Sequence, residues 1–188
     1  MEQALKGRRI AVLVAEGFDQ VELAEPMKAL ERAGARAEIV SPSVSRHVRA
    51  WNRDAWGDTF AVDAVLDEAD ASRYDALLLP GGVMNPDRLR GLPKARELVR
   101  AFFADGRPVA AICHAPWTLI DSGVVDGRRL TSYPSLQADL RNAGAEWVDQ
   151  EVVVDRELVT SRRPEDIPAF VRTMIEVFAR GRRRAGGD

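Results

Sequence analysis

Short apolar runs alternate with helical patterns along nearly the whole chain, and this alternation limits the fold more than any other feature. Residues 10–14 form a β-branched run, and Leu23, Met27 and Leu30 then recur on one helical face until Gly34 stops the pattern. A second run at 35–40 ends at Ser41 and Pro42. A third, 75–79, stops abruptly at Pro80, Gly81 and Gly82. Ala95, Leu98, Val99, Phe102 and Phe103 follow at the spacing of an amphipathic helix closed by Asp105 and Gly106. The fourth run, 109–112, leads through Cys113 into a helix opened by Pro116 and reaching Gly123, since proline is well tolerated at a first helical turn. Parallel neighbours require a crossover of this length, so the pattern predicts an α/β fold: a mostly parallel, flavodoxin-like sheet with helices on both faces.

Further along, a strand at 130–132, a helix at 135–143 and strands at 147–148, 152–154 and 158–160 are expected. Ile167, Phe170, Val171, Met174 and Phe178 then mark a closing amphipathic helix. Residues 46–63, with two tryptophans, Gly57 and alternation at 59–62, read as a β-hairpin inserted between the main units. Residues 1–180 are read as one domain and 181–188 as a disordered basic tail.

Composition narrows the function classes. Hydrophobic residues make up 46% of the 188 and charged residues 30%, which suits a packed core rather than disorder. A formal net charge of −2 provides no broad positive surface for phosphate, so no specific nucleic-acid binding is expected. No apolar run reaches the roughly 18 to 20 residues of a membrane span, and residues 1–9 show no signal-peptide core; a cytoplasmic protein is expected. A single cysteine precludes an intrachain disulfide, and with only His47 and His114 beside it no Cys/His zinc cluster is expected. Nothing in the sequence calls for a metal or another cofactor.

In open α/β sheets ligands bind beyond the carboxyl ends of the strands. Three segments follow strand ends: Glu16-Gly17-Phe18-Asp19, Pro80-Gly81-Gly82 and Cys113-His114. Ala111 and Ala115 flank Cys113 at two residues either side, as a tight strand-to-helix nucleophile elbow requires. A sulfur there would meet a helix N-terminus, which lowers a thiol pKa, whereas a cysteine simply filling a strand end would be inert. His114 is an acid/base candidate or a histidine bonded to backbone. Asp19 is a partner for the thiol or the N-cap of the first helix, and the local sequence favours the cap. Gly81 and Gly82 are oxyanion donors or turn glycines. Asp87 orients His114 or caps a short helix. Trp117 is the candidate pocket residue, although for it, as for Trp51, packing is the commoner role. His47 reads as a solvated hairpin residue.

Taken together, the motifs resemble the PfpI-type intracellular proteases, within the superfamily that also holds Parkinsonism-associated deglycases and class I glutamine amidotransferases. The resemblance runs nearly end to end, through Gly17-Phe18-Asp19, Val21-Glu22-Leu23, Leu78-Leu79-Pro80-Gly81-Gly82 and Ala111-Ile112-Cys113-His114-Ala115-Pro116. It continues in Asn142-Ala143-Gly144-Ala145-Glu146, Val152-Val153-Val154-Asp155 and Val159-Thr160-Ser161-Arg162 with Pro164 and Asp166. It implies that Cys113 is the nucleophile, His114 its acid/base neighbour and Asp19 the carboxylate beside the sulfur, in place of the family's usual glutamate. It also implies oxyanion donors near Gly82 and His114, and a homo-oligomer, dimer or higher, in which Asp87 comes from a neighbouring subunit. Ala115 stands where the family commonly has glycine. A glutamine amidotransferase needs a histidine far downstream of its cysteine, and none follows His114.

The function so implied is a cysteine-nucleophile hydrolase of the stress-response type. Its substrate would be a peptide bond or a small carbonyl, the latter as an aldehyde adduct in deglycase or glyoxalase chemistry. The competing class is a non-enzymatic sensor of oxidative stress, or a chaperone, using an oxidisable Cys113.

Overall fold

A computed structural model describes residues 3–181. The tail reading therefore lies, apart from Gly181, outside the described residues. In chain order the elements are β1 (Arg9–Leu13), β2 (Phe18–Asp19), α1 (Gln20–Arg32), β3 (Arg36–Ser41), β4 (His47–Asn52), β5 (Ala55–Ala61), β6 (Ala64–Val65) and β7 (Ala76–Leu79). Next come α2 (Met84–Arg90), α3 (Pro93–Ala104), β8 (Val109–Ile112), α4 (Pro116–Asp121), β9 (Arg129–Leu130) and α5 (Gln137–Asn142). The chain closes with β10 (Glu146–Trp147), β11 (Val152–Asp155), β12 (Leu158–Ser161) and α6 (Ile167–Arg180).

The main sheet runs β11-β12-β8-β7-β1-β3-β6, parallel throughout except for β11, which pairs antiparallel with β12. At its centre β7 and β8 are apolar at every position, and β1 is apolar after Arg9, because both faces are covered. The period-2 alternation of a strand then divides them between two cores. Ile10, Val12, Leu78 and Ile112 face Leu23, Leu30, Phe170, Met174 and Phe178 of α1 and α6. Ala11, Leu13, Leu77, Leu79 and Ala111 face Leu98, Val99, Phe102, Leu119 and Leu140 of α3, α4 and α5. The fold is the flavodoxin-like α/β arrangement expected.

The expected hairpin is β4 and β5, an antiparallel pair with β2 beside β4, and His47 is exposed on it. Two expectations are corrected. The strand at 130–132 contracts to β9, which pairs parallel with β10 in a separate two-stranded sheet. The helix at 135–143 begins as a 3₁₀ turn, Pro134–Leu136, before α5. The helix α2 had no periodic signature, since its sequence MNPDRLR is short and its only fully apolar anchors are Pro86 and Leu89. Among the described residues no helix is long and apolar enough to cross a membrane.

Candidate active site

The carboxyl ends of β1, β7 and β8 are neighbours in the sheet, so the three segments singled out in the sequence converge. At the end of β8 the chain turns sharply: Cys113 has φ 63°, a left-handed conformation that non-glycine residues seldom adopt. The turn is pinned on both sides. Cys113 N–H donates to the Ser161 carbonyl at 3.1 Å, and its own carbonyl accepts from Tyr133 N–H at 2.9 Å. Pro116 then starts α4 with Ala115 buried behind it. Cys113 thus occupies a strained nucleophile elbow, with 7% of its surface exposed.

The carboxylate at the sulfur is Glu22, and this corrects the expectation placed on Asp19. Asp19 Oδ1 accepts the N–H groups of Val21 (3.0 Å) and Glu22 (3.3 Å), so it caps α1. One turn into that helix Glu22 is fully buried, its Oε2 accepting Gly81 N–H at 2.9 Å and its carboxyl placed beside the Cys113 side chain. Glu22 Oε1 has no hydrogen-bond partner. The signal that could have found Glu22 is its helical phase. Glu22, Pro26, Ala29 and Leu30 share the buried face of α1, and a carboxylate on an apolar face needs a reason.

Burial is the main cause that lifts the Glu22 pKa to about 8, with the nearby charges of Asp19 and Glu165 adding to it; the contacts with Cys113 and Gly81 oppose the rise. Glu22 therefore keeps its proton at neutral pH. Burial and an ionised Glu22 both push the thiol up as well, while the N–H groups of Gly82 and His114 favour its thiolate. The lowered thiol pKa expected from a helix N-terminus is thus opposed. The helix α4 spans only six residues, and desolvation in this enclosed position outweighs its dipole. Thiol and carboxyl form a coupled pair whose protons do not leave independently.

The two glycines have different tasks. A methyl at Gly81 would lie 2.5 Å from Glu22 Oε2, 2.6 Å from Cys113 Cβ and 2.7 Å from the Ile112 carbonyl oxygen, so only glycine fits. Its N–H is engaged by Glu22 and is not an oxyanion donor. Gly82, at φ 80°, packs against the backbone of Gly17 and Asp19, and its N–H faces the sulfur. Gly82 and His114 supply the two N–H groups beside the sulfur.

His114 is 8% exposed, with Nδ1 3.2 Å from Cys113 Sγ. Burial lowers its pKa, which keeps the ring neutral and able to accept a proton. Tyr133 stacks on the imidazole at 4.6 Å, and Trp117 meets it edge-on at 5.2 Å. Trp117 is held by its Nε1–H donating to Asp139 at 2.9 Å and by Arg90 lying 4.8 Å over its ring. Asp87 is exposed on α2 and ion-paired with Arg90 at 2.8 Å; no contact with His114 forms within the chain. Among the described residues no group of three or more His, Cys, Asp or Glu side chains could hold a metal ion.

The supporting residues Tyr133 and Asn85 went unread in the sequence. Asn85 is fully buried and links the two loops: its Oδ1 accepts Ala15 N–H at 2.7 Å, and its Nδ2 donates to the Pro80 and Gly81 carbonyls at 2.8 and 3.0 Å.

Comparison with known proteins places this geometry. Residues 8–177 match the DJ-1/PfpI family. General stress protein 18 of Bacillus subtilis is 41% identical over 173 residues, covering 92% of this chain and 98% of the relative. Protein/nucleic acid deglycase 2 of Escherichia coli is 40% identical over 172 residues, covering 91% and 98%. Among solved structures, Drosophila melanogaster DJ-1beta superposes with a TM-score of 0.83 at 30% identity, covering 92% of this chain and 90% of that one.

Proposed function

Because the chain belongs to the DJ-1/PfpI family, we propose that it is a cysteine-nucleophile hydrolase whose substrate is a small carbonyl carried as an aldehyde adduct on an amine or thiol. The observation that carries this reading is the pairing of Cys113, strained at its elbow, with a protonated and buried Glu22. In the proposed reaction Sγ bonds to the adduct carbon that carries the amine or thiol, and the bond from that carbon to the amine nitrogen or thiol sulfur breaks. The developing oxyanion lies against the N–H groups of Gly82 and His114, and His114 accepts the thiol proton at Nδ1 and returns it to the leaving group. Water then releases the carbonyl fragment from sulfur.

The enclosure of Cys113, 7% exposed, favours a small carbonyl over an extended peptide. The deglycase name of the Escherichia coli relative supports the same choice. We extend the reading to a homo-oligomer that brings Asp87 of one copy near His114 of another, since Asp87 is exposed and does not serve its own chain's site.

The test compares wild type with Cys113→Ser on a methylglyoxal-modified peptide and on an unmodified peptide. Wild type should restore the free amine at least about 100-fold faster than the variant, as expected when a nucleophile is removed. Equal rates would reject the enzyme reading and leave an oxidisable thiol as the function. Preferential cleavage of the unmodified peptide would reassign the substrate.

A further inference from the structure

The loop after β9 is fastened directly to the elbow. Tyr133 N–H donates to the Cys113 carbonyl at 2.9 Å, Ser132 Oγ donates to the Tyr133 carbonyl at 2.8 Å, and Trp147 Nε1–H donates to Ser132 Oγ at 3.0 Å. This loop lays the Tyr133 ring nearly parallel to the imidazole, 23° between planes, and sets Ser135 Oγ 3.3 Å from His114 Nε2. The four sides of the ring are thereby accounted for by Cys113 at Nδ1, Ser135 at Nε2, Tyr133 on one face and Trp117 at an edge.

A neutral imidazole carries one N–H, and the partner of one nitrogen decides what the other offers. If Nε2 carries the hydrogen, Nδ1 presents a lone pair to the thiol and can take its proton. If Nδ1 carries it, the ring can only donate to sulfur. We infer that Ser135 is a positioning residue that favours His114 in the Nε2–H tautomer: its hydroxyl could meet either tautomer, but the Cys113 S–H can donate to Nδ1 only when Nε2 carries the hydrogen, which Oγ then accepts, so that Nδ1 is the atom that exchanges a proton with Cys113. The inference deepens the hydrolase reading and rests on it for its catalytic meaning, but its structural content holds whether or not the protein turns over an adduct. The same Nε2–H donates to Ser135 before and after Nδ1 accepts its proton, so the ring need not reorient during a cycle.

The test reads tautomers directly. Histidine ring nitrogens are labelled with ¹⁵N in a His47→Gln background, which leaves His114 as the sole histidine, and imidazole shifts are recorded at pH 7.5 in the parent, S135A, S135T and D87N. Ser135 is exposed, and unchanged thermal unfolding of S135A would show that the fold is intact. The parent should carry the hydrogen on Nε2. S135A should raise the Nδ1–H share about 5-fold, the scale of one ordinary hydrogen bond, and S135T should restore the parent ratio. Where turnover is present, S135A should lower kcat about 5-fold with KM nearly unchanged.

An unchanged tautomer ratio in S135A, or a parent already in the Nδ1–H form, would overturn the inference. So would a ratio that moves in D87N and not in S135A, which would transfer the role to a carboxylate from another copy. Absence of turnover in a protein with the expected tautomer shift would reject the hydrolase reading alone.

Discussion

At the scale of single residues, the coupled titration of Glu22 and Cys113 is the main chemical feature. Once one proton has left the pair, the resulting charge opposes loss of the second, so the two groups cannot titrate independently. Alkylation of Cys113 by iodoacetamide, followed against pH, should therefore rise in two steps in wild type. Glu22→Gln preserves size and a hydrogen-bond donor but cannot ionise, and should collapse the profile to one step. A single-step wild-type profile that Gln leaves unchanged would show that the carboxyl and thiol are not coupled. Glu22 also illustrates the limit of local reading. The pattern Asp19-x-x-Glu22 matches a capping box, in which Glu22 would reach back to the Asp19 N–H. That N–H donates instead to the Gly81 carbonyl at 3.3 Å, and Glu22 turns inward to the Gly81 N–H. Only the loop after β7, distant in sequence, makes the inward choice favourable.

At the scale of elements, the site depends on how closely two loops approach. The segment after β1 and the segment after β7 touch through Gly82 against Gly17 and Asp19, and Asn85 in α2 bridges them with three hydrogen bonds. Replacing Asn85 by Ala would leave the Ala15 N–H and the Pro80 carbonyl without this buried partner, while the Gly81 carbonyl keeps the Asp19 N–H, a loss on the order of 2–6 kcal/mol at about 1–3 kcal/mol for each of the two unsatisfied groups. Urea unfolding should show that loss with an unchanged m-value, and Asn85→Asp should not repair it, because Asp lacks the amide donor. A variant within about 0.5 kcal/mol of wild type would mean that solvent replaces the bridge. The four central strands, the elbow and the convergence of three strand ends were legible in the sequence because each rests on local periodicity or turn chemistry. The helix α2 and the loop from Ser132 to Ser135 were not. Their places are set by contacts far along the chain, such as Asn85 with Ala15 and Tyr133 with Cys113, and neither segment has a helical or strand period.

Across the whole molecule, the buried carboxyl makes stability depend on pH in a defined window. Glu22 titrates near 8 in the folded protein and near 4.5 as a free side chain, so between those values the folded state binds the extra proton. The sign follows from linkage: where the native state holds more protons than the unfolded one, stability falls as pH rises. The contribution of Glu22 is complete below about 4.5 and is lost progressively toward pH 8. Burial of His114 acts on the other side, since its lowered pKa costs stability in acid, where the unfolded ring gains a proton that the folded one resists. Chemical denaturation at pH 6 and pH 8 should show wild type losing on the order of 2 kcal/mol across that interval relative to Glu22→Gln, taking about 1.4 kcal/mol for each pH unit of full proton difference. Parallel pH dependence in the two proteins would mean that Glu22 is ionised in the folded state at pH 6 and that burial does not hold its proton.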